Sequence, residues 1–349
     1  MVGVKQLSIF LATAFFISSM WWKVVNSQHL PSSSSMSQRH NKWMAKFGRV
    51  YTSESEKRMR LQIFAKNAKY VDEFNAVGDK LYNVSINHFA DHTDEEIAQR
   101  YYGYNYKASD LLQDPKFETS FRYEHAKNIP ESMDWRQKGV LTPIKNQEPL
   151  GTKCGSCWAF ASISTIEAIN KLKTGKLVSL SEQELVDCTD DNGGCRGGYP
   201  EYAFEFVKQF GVTAERAYPY LAQTSKCNKK RVESLDDVVH ISGFEQVPYM
   251  EGENGLLKAV ANQPVVVSVK VGKEFELYCG GIFDGGCGAT LNHAVVAVGY
   301  GVDEDGTKYW ILRNSWGKGW GENGYMRMLR DNGHGGVCGV GTDVSYPVA

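Results

Sequence analysis

All eight cysteines of this 349-residue chain lie from Cys154 to Cys338, and the 153 residues before them contain none. Disulfides form and persist in oxidising compartments. The split therefore predicts a disulfide-bearing unit preceded by a segment of a different kind. The length exceeds one ordinary domain and leaves room for a large core. The N-terminus fits an oxidising destination. Lys5 gives a thin positive start, Leu7 to Trp22 is mostly apolar, and Val25 and Ser27 follow. This reads as a secretory signal over residues 1–27. A membrane anchor is the alternative, disfavoured because the run is short, carries Ser and Thr and lacks strong basic flanks. Beyond it no apolar run reaches the ~18 residues of a membrane span, so no membrane contact is expected after signal cleavage. A net charge of -1 argues against nucleic acid as a partner. The expected location is the secretory pathway, ending outside the cell or in a vacuole or lysosome.

Residues 28–37 are polar and Ser-rich and are expected to be disordered. From Arg39 to about Gly103 the chain reads as helical. His40, Trp43, Met44 and Phe47 recur at helical spacing, and Glu56, Arg60, Phe64, Asn67, Val71 and Asn75 share one helical face. Glu56 and Arg60 stand one turn apart and can pair. A helix is expected from Cys157 through Phe160, Ile163, Ile166 and Ile169, stopping at Gly175. Ser181-x-x-Glu184 reads as a capping box, and Phe204 to Phe210 as a further helix. After about Val238 the character changes. Pro264 to Val267, His293 to Tyr300, Tyr309 to Asn314 and Gly324 to Met328 read as strands, with a hairpin turn over Asp303 to Gly306.

Three local patterns carry chemistry. Cys157 stands in Cys154-Gly155-Ser156-Cys157-Trp158, His293 precedes Ala294, and Asn314 opens Asn314-Ser315-Trp316-Gly317. A thiol needs a basic neighbour to attack an amide carbonyl. Cysteine, histidine and an orienting amide supply nucleophile, base and support. Cys154-x-x-Cys157 also has the spacing of a redox motif or half a zinc site. The first wants a thioredoxin-like strand before it and the second another ligand pair, and neither is visible.

These patterns resemble the papain family of cysteine proteases, which the C-G-[SA]-C-[WY] signature with downstream His and Asn identifies. The likeness is to cathepsin L-like members, plant enzymes such as the bromelains among them. The helical stripe resembles the family's propeptide pattern, with Val71 in place of the usual Ile. Asn87-x-Phe89-x-Asp91 resembles its second propeptide motif, with Ser85 where a Gly is usual. The resemblance implies an α+β fold: a two-domain papain-like peptidase over residues 129–349. Its helical half spans about 140–237 and its β-rich half about 238–349, with a cleft between them. Residues 28–128 become an inhibitory propeptide, with 104–128 as a linker crossing the cleft. This N-terminal part is net positive and the remainder net negative.

The implied activity is that of a cysteine endopeptidase made as a zymogen. Cys157 is the implied nucleophile, His293 the acid and base, Asn314 the acceptor that fixes the ring, and Trp316 its shield. Gln147 is the implied oxyanion donor. Six residues, Glu148 to Lys153, separate it from Cys154, where the family has a shorter link. The insertion either bulges outward or displaces Gln147. Displacement is the one feature favouring the competing reading, a non-catalytic storage or binding relative. Gly197 and Gly198 are implied backbone partners of an extended substrate. Tyr199, Pro200, Ser268, Leu291, Ala294 and Asp343 are implied to line the pocket for the second residue before the scissile bond. Asp343 at its floor would accept Arg beside Phe or Leu. The implied disulfides are Cys154–Cys195, Cys188–Cys227 and Cys287–Cys338. Cys279 remains as an inert thiol, an exchange partner of Cys287 or an intermolecular bridge. Asn83-Val84-Ser85 is a glycosylation sequon within the propeptide. No metal or organic cofactor is implied. Expected partners are protein and peptide substrates, the chain's own propeptide and cystatin-type inhibitors, acting on a monomer.

Overall fold

The computed structural model describes residues 33–104, 120–149, 152–228, 238–288 and 290–349. The expected signal segment and most of the expected linker lie outside them. Helix α1 (Ser33–Phe47) packs on α2 (Glu54–Ala76), and Trp43, Phe64, Ala68 and Ala90 form a small separate core. Ser33 to Ser37 are helical, contrary to the expected disorder. Met36 lies one turn before His40 and adds to the same apolar stripe, which extends the helix backward. Ser53 caps α2 by accepting the Glu56 N–H.

The six-residue stripe of α2 works as a row of clamps. Phe64 and Val71 are buried. Asn67 donates to the Ala90 and His92 carbonyls, and Asn75 exchanges hydrogen bonds with the Val84 backbone. Arg60 does not take Glu56 as its partner. It forms a fork with Glu96 at 2.6 and 2.9 Å, while Glu56 accepts from Thr52. The segment beyond α2 is not helical throughout: strand β1 (Tyr82–Val84) precedes α3 (Asp94–Tyr101). Thr93 and Glu96 close a capping box on α3.

The remainder follows as β2 (Met133–Asp134), α4 (Cys157–Thr174), α5 (Glu182–Cys188), α6 (Pro200–Phe210), β3 (Gly243–Gln246), α7 (Gly252–Val260), β4 (Val265–Val269), α8 (Lys273–Leu277), β5 (Tyr278–Phe283), β6 (His293–Val302), β7 (Lys308–Arg313), β8 (Tyr325–Leu329) and β9 (Val344–Val348). Strand order is β1-β5-β8-β7-β6-β4-β9-β3, with β2 on β6. Only β5 and β8 pair in parallel among these strands. Every residue of β4 is buried, as is β6 except at Val302. Continuous apolar runs of this kind suit strands covered on both faces. Helix α4 packs against β6 and is buried on all sides from Cys157 to Ile169. Gly175 ends it in the left-handed region, φ 75°, with its N–H on the Lys171 carbonyl, a conformation that glycine adopts at little cost.

The expected capping box at Ser181 is half formed. Ser181 accepts the Glu184 N–H at 3.0 Å, but the Glu184 carboxylate turns to Thr213 instead. The Ser181 N–H is satisfied by the Thr213 carbonyl. The disulfides are Cys154–Cys195, Cys188–Cys227 and Cys287–Cys338, the pairings that the resemblance implies. Cys157 and Cys279 are free thiols, so Cys287 is already taken.

Candidate active site

Helix α4 and strand β6 bring Cys157 and His293 from opposite halves to one place. Cys157 is the first residue of α4, where unpaired backbone N–H groups and the helix dipole favour negative charge. The helix start is pinned by the Cys154–Cys195 disulfide and by the Gly155 N–H on the Cys195 carbonyl at 2.9 Å. His293 is the first residue of β6 and pairs with Val269 of β4, while Ala294 pairs with Ser268.

Nε2 of His293 lies 2.8 Å from Asn314 Oδ1, which also accepts the Ser315 N–H at 2.8 Å. An amide oxygen only accepts, so Nε2 carries the proton of the neutral ring and Nδ1 keeps its lone pair. Nδ1 has no hydrogen-bond partner. The Trp316 ring lies 4.7 Å from the imidazole, centroid to centroid, and is buried with it.

Gln147 stands beside them. Its N–H meets the Ser315 carbonyl at 2.9 Å, and its Oε1 accepts from Ser315 Oγ at 2.7 Å. Tyr220 donates to the Gln147 carbonyl and lies 2.7 Å from Ser156 Oγ. Gln147 Nε2 donates to the Cys154 carbonyl at 3.1 Å, across the insertion. Of the insertion's described residues, Pro149 and Lys153 are exposed and Thr152 is half-buried. Glu148 is buried and pairs with Arg100 of α3 at 2.8 Å. Residues 150 and 151 lie outside the described structure.

The N-terminal unit runs through this site. Asn87 donates to the Glu276 carbonyl of α8, and Phe89 meets the Trp316 ring edge-on at 5.1 Å. The Tyr101 carbonyl accepts from Gln147 Nε2 at 3.2 Å. Gly103 crosses above Cys157 so closely that a methyl group on it would collide with the Gly155 carbonyl. Its own carbonyl accepts the Gly198 N–H at 2.8 Å, and the Tyr104 N–H reaches the Asn292 carbonyl at 3.2 Å. Gly197 meets it with φ 118°, and a Cβ there would come within 2.6 Å of the Gly103 oxygen. Tyr104 is buried, donates to Asp343 and packs edge-on against Tyr199 at 5.3 Å. Ser268 Oγ donates to the same Asp343 oxygen at 2.5 Å. Pro200 follows Tyr199 as the first residue of α6, and Leu291 precedes the Asn292 carbonyl that Tyr104 uses.

This cover holds the pair uncharged. Burial pushes the Cys157 thiol up to about 11, against the opposing pull of the Ala294 and Gly103 backbone N–H groups. Burial pushes His293 down to about 4 against the stabilising Asn314 bond. Burial thus favours the thiol over the thiolate and the neutral ring over the imidazolium.

Tyr102, Gly103, Tyr104, Glu276, Tyr220 and Arg100 were not singled out in the sequence. Tyr-Tyr-Gly-Tyr directly after a helical stretch was the one available signal. Among the described residues no cluster of side chains fits a metal ion, and no helix is long and apolar enough to cross a membrane. Asn83 is exposed on β1, so its sequon is accessible.

Residues 129–348 match the family described as papain family cysteine protease, and residues 40–97 match the cathepsin propeptide inhibitor domain (I29). Cysteine endopeptidase RepA of Oryza sativa is 44% identical, over 91% of this chain and 87% of its own. Senescence-specific cysteine protease SAG12 of Arabidopsis thaliana is 40% identical over 99% of both. The solved structure of a recombinant stem bromelain precursor superposes with a TM-score of 0.78 at 39% identity, covering 90% of this chain and 98% of that one. With matches along nearly its whole length, the chain belongs to the papain family of cysteine proteases and is a zymogen that carries its own cathepsin-type inhibitor domain.

Proposed function

We propose that Cys157 is the nucleophile of this endopeptidase, His293 its acid and base, Asn314 the group that orients the ring, and Gln147 an oxyanion donor. The observation that carries this reading is the propeptide's path. Gly103 covers the Cys157 sulfur while the Tyr101 carbonyl occupies the Gln147 amide. Once the propeptide leaves, Nδ1 of His293 takes the thiol proton and the sulfur attacks the substrate carbonyl carbon. The Gln147 amide and the Cys157 backbone N–H face the developing oxyanion. The imidazolium then protonates the leaving amine, giving an acyl-enzyme. Water, deprotonated by His293, attacks the thioester and regenerates the thiol. The three disulfides support passage through the secretory pathway to the outside or to a vacuole. Protein substrates meet a monomer, with cystatin-type inhibitors as external partners.

We assign Asp343 to the floor of the pocket for the second residue before the scissile bond, supported by its hydrogen bond from Tyr104. A carboxylate there pairs with Arg through charge-assisted hydrogen bonds of about 1–3 kcal/mol. Apolar walls still admit Phe. In the mature enzyme Asp343→Ala should lower the Arg-to-Phe ratio of kcat/KM by about tenfold, since 1.4 kcal/mol is one decade. An unchanged ratio would remove Asp343 from specificity.

Propeptide release should follow acid, with a particular profile. Burial opposes the charge on Asp91, but His92, Arg49 and Tyr51 outweigh it and hold the carboxyl below its ordinary range. Glu96 is likewise held low, because Arg60 and the Thr93 N–H outweigh burial. Support from these lowered groups is present above the ordinary carboxylate range and is lost as pH falls through their lowered values. Burial, then Arg49 and His92, push His88 down, so its protonation favours release below its ordinary 6.5. Glu276, held by Tyr102, carries the opposite sign: burial raises it to about 7, and burial raises Asp343 beside Tyr104 too. These favour the docked form as pH drops, and their effect is complete below the ordinary carboxylate value. Above about pH 5 His88 alone opposes the raised carboxylates and the docked form is kept, and below it the remaining titrations of His88, Asp91 and Glu96 favour release. In a Cys157→Ser precursor, which cannot process itself, release should be steepest below about pH 5. Complete release by pH 6, read by protease sensitivity of the propeptide, contradicts this balance.

A further inference from the structure

Two tyrosines flank Gly103, and each ends on a buried carboxylate. Tyr104 donates to Asp343, and Tyr102 donates to Glu276. The mechanism above makes no use of Glu276. Its carboxylate lies near the end of α8 and is 3% exposed under the propeptide. Its backbone is fixed by the peptidase itself, because Trp320 Nε1 donates to the Glu276 carbonyl at 2.9 Å. The neighbouring Phe275 stacks on Trp320 at 5.5 Å and meets Trp316 edge-on at 5.9 Å. Trp316 is the ring that covers His293. Departure of the propeptide therefore removes Tyr102 and Asn87 from Glu276 but leaves the aromatic platform that holds it.

The geometry points to Glu276 as a specificity residue on the leaving-group side of the cleft, where the mature enzyme favours a residue directly after the scissile bond whose side chain ends in a hydrogen-bond donor, tyrosine first. This rests on the reading of Cys157 as nucleophile and of Asp343 as the floor of the pocket for the second residue before the bond. Gly103 lies over the sulfur and Tyr104 lies on the Asp343 side. Tyr102 therefore marks the first position across the nucleophile. A phenylalanine there would cover the carboxylate without supplying a donor. Sites built to hydrogen-bond a hydroxyl discriminate against the analogue that lacks it. Lys273, one turn earlier on α8, binds Asn67 and Asp94 of the propeptide at 2.9 and 3.0 Å. Both partners leave on activation, and the freed ammonium then competes for Glu276, which moderates the preference.

The test uses the acid-activated mature enzyme, with active sites titrated by an epoxide. Its substrates are peptides identical except for Tyr or Phe after the scissile bond. Wild type should favour Tyr by about tenfold in kcat/KM. Glu276→Leu should bring the ratio to one or below, and Glu276→Gln, which keeps an acceptor and nearly the same shape, should leave it between the two. The Gln variant supplies the answer if the Leu variant does not fold. Equal rates for Tyr and Phe in an active wild type, or a ratio that neither variant moves, overturn the role of Glu276 and leave the nucleophile assignment standing. Failure of wild type to cut either peptide, with no epoxide incorporated at Cys157, overturns the nucleophile assignment and this inference with it.

Discussion

Replacing Cys157 with Ser should lower kcat/KM for a peptide by on the order of 10⁴-fold or more while leaving the fold intact. That is about 5.5 kcal/mol of lost transition-state stabilisation. The hydroxyl is far less acidic than the thiol, and at the first position of α4 it gains too little from the helix dipole to ionise. His293 would have to remove a proton that it cannot hold against an alkoxide. Folding should survive, because a hydroxyl is slightly smaller than the thiol and can still accept the Ala294 and Gly103 N–H groups that face the sulfur. Melting temperature and disulfide content should match wild type. Turnover within tenfold of wild type, with contaminating protease excluded, would take the nucleophile role away from Cys157.

Gln147→Ala should cost 10²- to 10³-fold in kcat, about 3–4 kcal/mol, with a smaller change in KM. In the proposed mechanism the amide faces the substrate carbonyl, at the place that the Tyr101 carbonyl takes at 3.2 Å. A donor aimed at the transition-state oxygen affects kcat more than binding. The same substitution also strips Ser315 Oγ of its 2.7 Å acceptor, a structural loss of about 1 kcal/mol. Ser315→Ala separates the two effects. It breaks that bond but leaves the Gln147 amide in place, so it should lower kcat by less than about tenfold. Equal losses in the two variants would mean that Gln147 acts only by holding the loop.

The legible parts of the fold were those with long internal patterns. Helix α4 repeats its apolar residues over four turns, and β4, β6 and β7 are runs of β-branched and aromatic residues, so local sequence already agrees with the final structure. Cys157, His293 and Asn314 were legible because each carries its own flanking motif. Strand β1 was missed because Tyr82 to Val84 are extended only through pairing with β5, far along the chain. Helix α8 has five residues, too few for a period to show. Glu184 was claimed by Thr213 across the helical half, so half of the expected capping box did not form. The pairing of Tyr102 with Glu276 spans 174 residues. Nothing in Tyr-Tyr-Gly-Tyr or in Lys-Glu-Phe-Glu-Leu marks a partner at that distance. Ser33 to Ser37 misled by composition: serine is an indifferent helix former, and Met36 on the buried stripe decided the outcome.

Cys157 is expected to become the reactive thiolate when the propeptide leaves. An epoxide that alkylates thiolates tests it on the wild-type precursor, with labelled sites mapped by peptide mass. At neutral pH the sulfur lies under Gly103 as a thiol, and Cys279 is raised by burial as well, so incorporation should be negligible. After acid release one label per chain should appear, on Cys157, and peptide hydrolysis should stop in proportion. Labelling of Cys157 at the same rate in the intact precursor, or hydrolysis that persists once Cys157 is fully labelled, would contradict the account.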